Sequence, residues 1–282
     1  MSTSKVKEQL KKSGIAPNKL LGQHFLIDDS VVDSMLKNAN LSSLDVILEI
    51  GPGLGILTEK LSRTGKQIFA LEKDRALAAG LKKKFSKTKN IFIQHGDALS
   101  INPATLFKET DSYSIIANLP YNITARFFKI FLSEVEKKPQ EIIVMVQKEV
   151  AERMVAKQGK LTKLGLLLQV YGDIKILVND IPPTVFYPPP KVLSAVISVR
   201  LKRAPLKIFP QYEDIFWQLI RIGFASKRKL LANNLSAGLT IQVQDARKML
   251  TLAEIEPRVR AEQLTIKNWV ALVDIYRKNH CR

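Results

Sequence analysis

With 282 residues, 46% of them hydrophobic, and a mean hydropathy of −0.01, the chain is long and apolar enough for a large domain plus a smaller one, which excludes a disordered polar polymer. The single cysteine, Cys281, excludes an internal disulfide and a cysteine metal cage, and no apolar run nears the ~20 residues that cross a bilayer, so a soluble protein with no membrane partner is expected. The net charge of +18 favours a polyanionic partner, and it is concentrated late: Lys191 to Arg282 holds 17 Lys and Arg against 7 Asp and Glu.

Residues 1–20 are polar and lysine-rich and read as a basic N-terminal arm that orders on binding. They lack the apolar stretch of a secretory signal, and a cytoplasmic protein is expected. From Val46 onward, short β-branched or apolar runs alternate with helical stretches. The runs at 46–50, 68–72, 91–94, 113–117, 142–147, 174–180 and 193–199 predict a doubly wound α/β sheet. After Lys202 the pattern turns helical, at 212–224, 227–235, 246–250 and 266–277. Proline steps at 204–205 and 209–210 predict a linker. The expected division is therefore an arm (1–20), an α/β domain (21–203) and a small all-helical domain (204–282).

The first strand runs into Glu49-Ile-Gly-Pro-Gly-Leu-Gly. Gly51 and Gly53 lack the Cβ that keeps a backbone away from a ligand, and the helix that follows offers free N–H groups. Dinucleotide enzymes use such turns too, so the glycines alone predict only a nucleoside cofactor. Glu72, twenty-one residues past Gly51, ends the second strand where a carboxylate accepts from ribose hydroxyls. Asp97 ends the third and could accept from an adenine amine.

Asn118-Leu119-Pro120-Tyr121 follows the fourth strand, at the sheet edge where open α/β folds bind ligands. An adenine amine is a poor nucleophile because its lone pair is delocalised into the ring. Attack on a sulfonium methyl gains from acceptors for both N–H groups, and the Asn118 side-chain oxygen and a backbone carbonyl near Pro120 are candidates. Tyr121 would stack on the extruded base.

Seven segments together resemble the KsgA family of small-subunit ribosomal RNA adenine dimethyltransferases: LGQHFLID (21–28), EIGPGLG (49–55), ALEKD (70–74), GDA (96–98), NLPYNI (118–123), QKEVAERM (147–154) and FYPPPKV (186–192). The resemblance covers nearly the whole chain. It implies a Rossmann-like class I methyltransferase sheet with a small C-terminal all-helical domain, and S-adenosylmethionine as donor with no metal. His24, Leu26, Gly51, Gly53, Glu72, Asp97 and Asn118 would line the cofactor site, and Phe186 would face Tyr121 across the adenine. Lys227, Arg228 and Lys229 resemble the family's basic helix start and would contact RNA phosphates. The implied substrate is a pair of adjacent adenines in the 3′-terminal hairpin loop of 16S rRNA, within a pre-30S particle, methylated twice each by a monomeric enzyme.

The large-subunit rRNA methyltransferases of macrolide resistance share much of the motif set; Leu119, where they commonly have isoleucine, and the basic stretch speak against them. A non-catalytic ribosome-assembly factor is the alternative of another class, and intact Asn118, Tyr121, Glu72 and Asp97 argue against it. Two places depart from the family. Leu193 replaces its usual acidic residue and is expected to pack in the last strand, and 159–165 resembles it less than its surroundings.

Overall fold

The computed structural model describes residues 3–12, 14–18, 21–39, 41, 46–107, 112–202 and 212–280. The expected linker prolines and Cys281 lie outside these residues. The chain divides into two compact units: Met1–Ala151 with Gly172–Leu201, and Glu152–Tyr171 with Lys202–Arg282. This departs from a contiguous boundary at 203, because Glu152–Tyr171 groups with the C-terminal helices.

In the first unit the strands are β1 (Phe25–Leu26), β2 (Val46–Ile50), β3 (Gln67–Glu72), β4 (Ile91–His95), β5 (Tyr113–Asn118), β6 (Glu141–Gln147), β7 (Gly172–Ile181), β8 (Phe186–Tyr187) and β9 (Ser194–Leu201). Seven of them form one sheet in the order β4-β3-β2-β5-β6-β9-β7. The five strands from β4 to β6 run parallel, and β9 is antiparallel to both β6 and β7. β2 and most of β5 and β6 are buried, as strands covered on both faces must be, which is why they read as unbroken apolar runs.

β2 to β4 build outward on one side, and the chain then returns to place β5 on the other side of β2. The ends of β2 and β5 therefore diverge at the topological switch point, where a crevice opens. β1 and β8 form a separate antiparallel pair, Leu26 opposite Phe186 and Phe25 opposite Tyr187, which brings the 21–28 segment against the proline run.

The N-terminal segment is not a loose arm. Thr3–Lys12 is a helix, α1, and Val6 and Leu10 at its helical spacing are buried with Phe25, Ile27, Leu54 and Leu77. Burying two aliphatic side chains contributes roughly 1.5–3 kcal/mol each, enough to hold a short helix in place. Leu193 also differs from expectation: it precedes β9, is 38% exposed, and its carbonyl accepts from the Lys148 N–H.

The second unit includes α8 (Lys163–Tyr171), α9 (Glu213–Gly223), α10 (Leu231–Leu239), α11 (Val243–Leu252) and α12 (Ile266–His280), α2 to α7 being the helices of 29–154. Phe216, Leu219, Leu235, Leu250, Trp269 and Leu272 are all at 0% exposure in its interior. The expected helix at 227–235 begins later, at Leu231. Asn234 explains this: its buried amide donates to the carbonyls of Gly223 (2.6 Å) and Ser226 (3.0 Å), which holds the intervening chain as a turn.

Candidate active site

The pocket at the switch point is lined from four places: the 21–26 segment, the glycine turn after β2, the ends of β3 and β4, and 118–123 after β5. Of the residues expected here, His24, Leu26, Gly51, Gly53, Glu72, Asp97, Asn118, Pro120 and Tyr121 all line it.

Gly53 shows why the turn needs glycine. Its φ is +59°, and a Cβ there would stand 3.0 Å from the Phe25 ring. Its N–H donates to Glu72 Oε2 at 3.0 Å, and Asp74 N–H donates to Oε1 at 2.9 Å. Glu72 is thus fixed by backbone from both sides. Burial pushes its carboxyl above the ordinary range, with those donors opposing the rise. Burial also acts on Asp97, yet Lys73 Nζ at 2.8 Å and the Leu99 N–H at 2.9 Å outweigh it and hold Asp97 below the usual carboxylate value.

Asn118 Nδ2 donates to the His24 carbonyl at 3.1 Å. With its nitrogen engaged, the side chain keeps its oxygen for the pocket. His24 Nδ1–H in turn donates to the Pro188 carbonyl at 2.7 Å, and the imidazole stacks on Tyr121 with centroids 5.8 Å apart and planes 24° off parallel. Phe186 pairs with Leu26 across β1 and β8. It is 2% exposed and packed in the core with Leu26, Val31 and Ile181.

One residue escaped the sequence reading. Glu49 is 1% exposed and lines the pocket, and among the described residues its carboxylate oxygens make no hydrogen bond of ordinary geometry, Thr58 acting on them only weakly. Burial pushes its carboxyl up to about 8, with Thr58 opposing the rise and Glu72 adding to it. A glutamate inside an apolar strand was the available signal, since such a position ordinarily excludes charge. Buried polar groups are nearly always paired, so a carboxylate bare at a pocket wall calls for a donor from a ligand.

In the second unit Lys227, Arg228 and Lys229 are exposed in the turn before α10, and Lys227 lines a hollow with Arg153, Lys160, Thr162, Phe224 and Ser226. Of the 159–165 stretch, Gly159 to Thr162 border it ahead of α8, with the Gly159 and Leu161 N–H groups donating to the Glu262 carbonyl. Among the described residues no cluster of His, Cys, Asp or Glu suits a metal ion, and no helix is long and apolar enough to cross a membrane.

A dimethyladenosine transferase from Plasmodium falciparum shares the fold, with a TM-score of 0.72 at 24% identity over 90% of this chain and 98% of that one. So does the 23S rRNA methyltransferase ErmE, at 0.69 and 22% over 89% and 98%. A protein of Dehalococcoides mccartyi named ribosomal RNA small subunit methyltransferase A is 40% identical over 278 residues, 99% of this chain and 94% of that relative. One of the same name from Bacillus licheniformis is 35% identical over 97% and 96% of the two chains. A family model described as ribosomal RNA adenine dimethylase matches residues 15–278. The chain that forms this pocket thus belongs to the ribosomal RNA adenine dimethylase family.

Proposed function

We propose that this protein transfers methyl groups from S-adenosylmethionine to the exocyclic amines of two adjacent adenines in the 3′-terminal hairpin loop of 16S rRNA, giving dimethyladenines during ribosome biogenesis. The observation that carries the reading is Asn118, whose amide nitrogen is tied to the His24 carbonyl so that its oxygen serves a pocket ringed by Glu49, Glu72 and Asp97. S-adenosylmethionine supplies an electrophilic methyl group on a sulfonium. The bare Glu49 carboxylate fits its cationic amino-acid end, and the fixed Glu72 carboxylate fits its ribose hydroxyls.

Asn118 Oδ1 and a backbone carbonyl near Pro120 accept from the two N–H groups of the adenine, while Tyr121 stacks on its ring. Positioning is the main source of rate, since aligned groups reach effective molarities of about 10⁵–10⁸ M. Tyr121 is not the base: its hydroxyl is engaged by Ser194, and burial pushes the phenol up. The proton leaves an already cationic nitrogen, so no strong base is required.

The name shared by the relatives supports the small subunit as substrate; the fold, common to ErmE as well, is neutral on this point. Lys227, Arg228 and Lys229, with Arg153 and Lys160 beside them, are suited to RNA phosphates. The protein acts as a monomer in the cytoplasm, on rRNA within a pre-30S particle, through its second unit as RNA-binding domain. The test is incubation with radiolabelled S-adenosylmethionine and under-methylated 30S particles, with naked 23S rRNA as competitor. Label in the 3′-terminal hairpin supports the reading, and label confined to 23S rRNA overturns it.

A further inference from the structure

We propose that Ser194 is a positioning residue for methyl transfer, acting through the Tyr121 ring; the inference rests on the reading of Tyr121 as the platform for the adenine.

Ser194 is the first residue of β9, opposite Gln147 on β6 and Ile181 on β7, and is at 0% exposure. Its backbone serves the sheet. Its Oγ shares a 2.7 Å hydrogen bond with the Tyr121 hydroxyl, seventy-three residues away in sequence. Tyr121 lies in the short turn of helix Tyr121–Ile123, just past the divergent end of β5, where the chain alone leaves its χ angles free. Its surroundings remove that freedom. Ser194 holds the tip of the ring, His24 covers one face, and the Tyr121 carbonyl accepts from Thr124 Oγ1 at 3.1 Å.

A ring pinned at its tip and covered on one face offers the adenine the opposite face, in one plane. His24 connects this platform to the acceptor, because its carbonyl also holds the Asn118 amide. Ser194, Tyr121, His24 and Asn118 are thus linked in series from the rigid start of β9 to the end of β5. Stacking plane and acceptor are thereby set relative to one another before a base arrives, which is where positioning acts on rate.

The test compares Ser194→Ala and Ser194→Cys in the full chain, with and without Tyr121→Phe. Cysteine keeps the volume and bonds weakly, so it separates the hydrogen bond from packing. Both single variants are expected to lower kcat about three- to tenfold, the value of one neutral hydrogen bond, with cofactor affinity unchanged. Neither should cost anything further in the Tyr121→Phe background. Tyrosinate absorbance, taken as the difference from Tyr121→Phe, should show Tyr121 titrating at higher pH in Ser194→Cys, since Ser194 opposes the effect of burial. A Ser194→Cys enzyme with wild-type kcat, or an unmoved titration, overturns the inference alone. A wild-type protein that methylates no RNA overturns the reading of Tyr121 together with it.

Discussion

The two units put polar chemistry to opposite uses. In the α/β unit the functional groups are held by the protein itself: Glu72 by two backbone N–H groups, Asn118 by a carbonyl, Asp97 by Lys73. Glu49, by contrast, is buried at the pocket wall with no hydrogen-bond partner of ordinary geometry among the described residues. In the helical unit the protein holds the backbone of the basic turn, through Asn234, and leaves Lys227, Arg228 and Lys229 exposed. Fixed groups at a reacting centre raise rate, whereas exposed flexible cations meeting a polyphosphate supply affinity that salt can screen. On the proposed function, turnover falls to one unit and attraction to the other.

The sharpest test is Asn118→Ala. It removes an acceptor needed as positive charge develops on the amine, and kcat should fall by about 10²–10³ while cofactor and RNA binding persist. Methyl transfer from labelled cofactor at saturating RNA reads the first quantity and calorimetry the others. Retained turnover would dissolve the contrast between the units.

Glu72→Ala comes next. It removes the ribose acceptor and strands the Gly53 and Asp74 N–H groups. Cofactor affinity should drop by about 10–100-fold, the cost of losing one charged acceptor and leaving its donors unpaired, with RNA affinity unmoved. Calorimetric titration with each ligand separates the two.

Replacing Lys227, Arg228 and Lys229 by Ala should do the reverse. Binding of 16S rRNA weakens, and the slope of log K against log salt becomes shallower by about one for each phosphate no longer neutralised, while kcat at saturating RNA stays near the wild type. A large fall in kcat instead would place these residues in the chemistry.

The last test reads stability rather than turnover or binding. Glu49 has its carboxyl raised from 4.5 to about 8, so the folded ligand-free protein keeps a proton that the unfolded chain releases. The resulting stability is complete below pH 4.5 and lost as pH rises through about 8. Melting temperature should therefore fall over that interval, and the fall should be absent in Glu49→Gln. S-adenosylmethionine should flatten it by bringing a cation to the carboxylate. An unchanged profile in Glu49→Gln would mean that Glu49 is already paired.

Much of this was legible in the chain. Each strand of the seven-stranded sheet fell within about two residues of its apolar run, most plainly β2, β5 and β6, whose burial on both faces leaves an unbroken apolar pattern. The spacing of Gly51, Glu72, Asp97 and Asn118 carried the pocket as well, since each ends a strand or follows one directly. Local rules misled where a distant partner decides. Val6 and Leu10 looked like part of an arm until Phe25, Leu54 and Leu77 covered them. The 227–235 stretch has helix-forming residues, but Asn234 spends its amide on the turn before it.

By itself the sequence determined the sheet, the crevice at its switch point and the acids and amide along it, because strand period and strand-end position are local properties. Only the tertiary structure decided that Glu49 is buried at the pocket wall, that His24 stacks on Tyr121, and that Ser194 holds that ring. Those facts depend on which side chains meet across seventy or more residues, and meetings at that range leave no period in the chain.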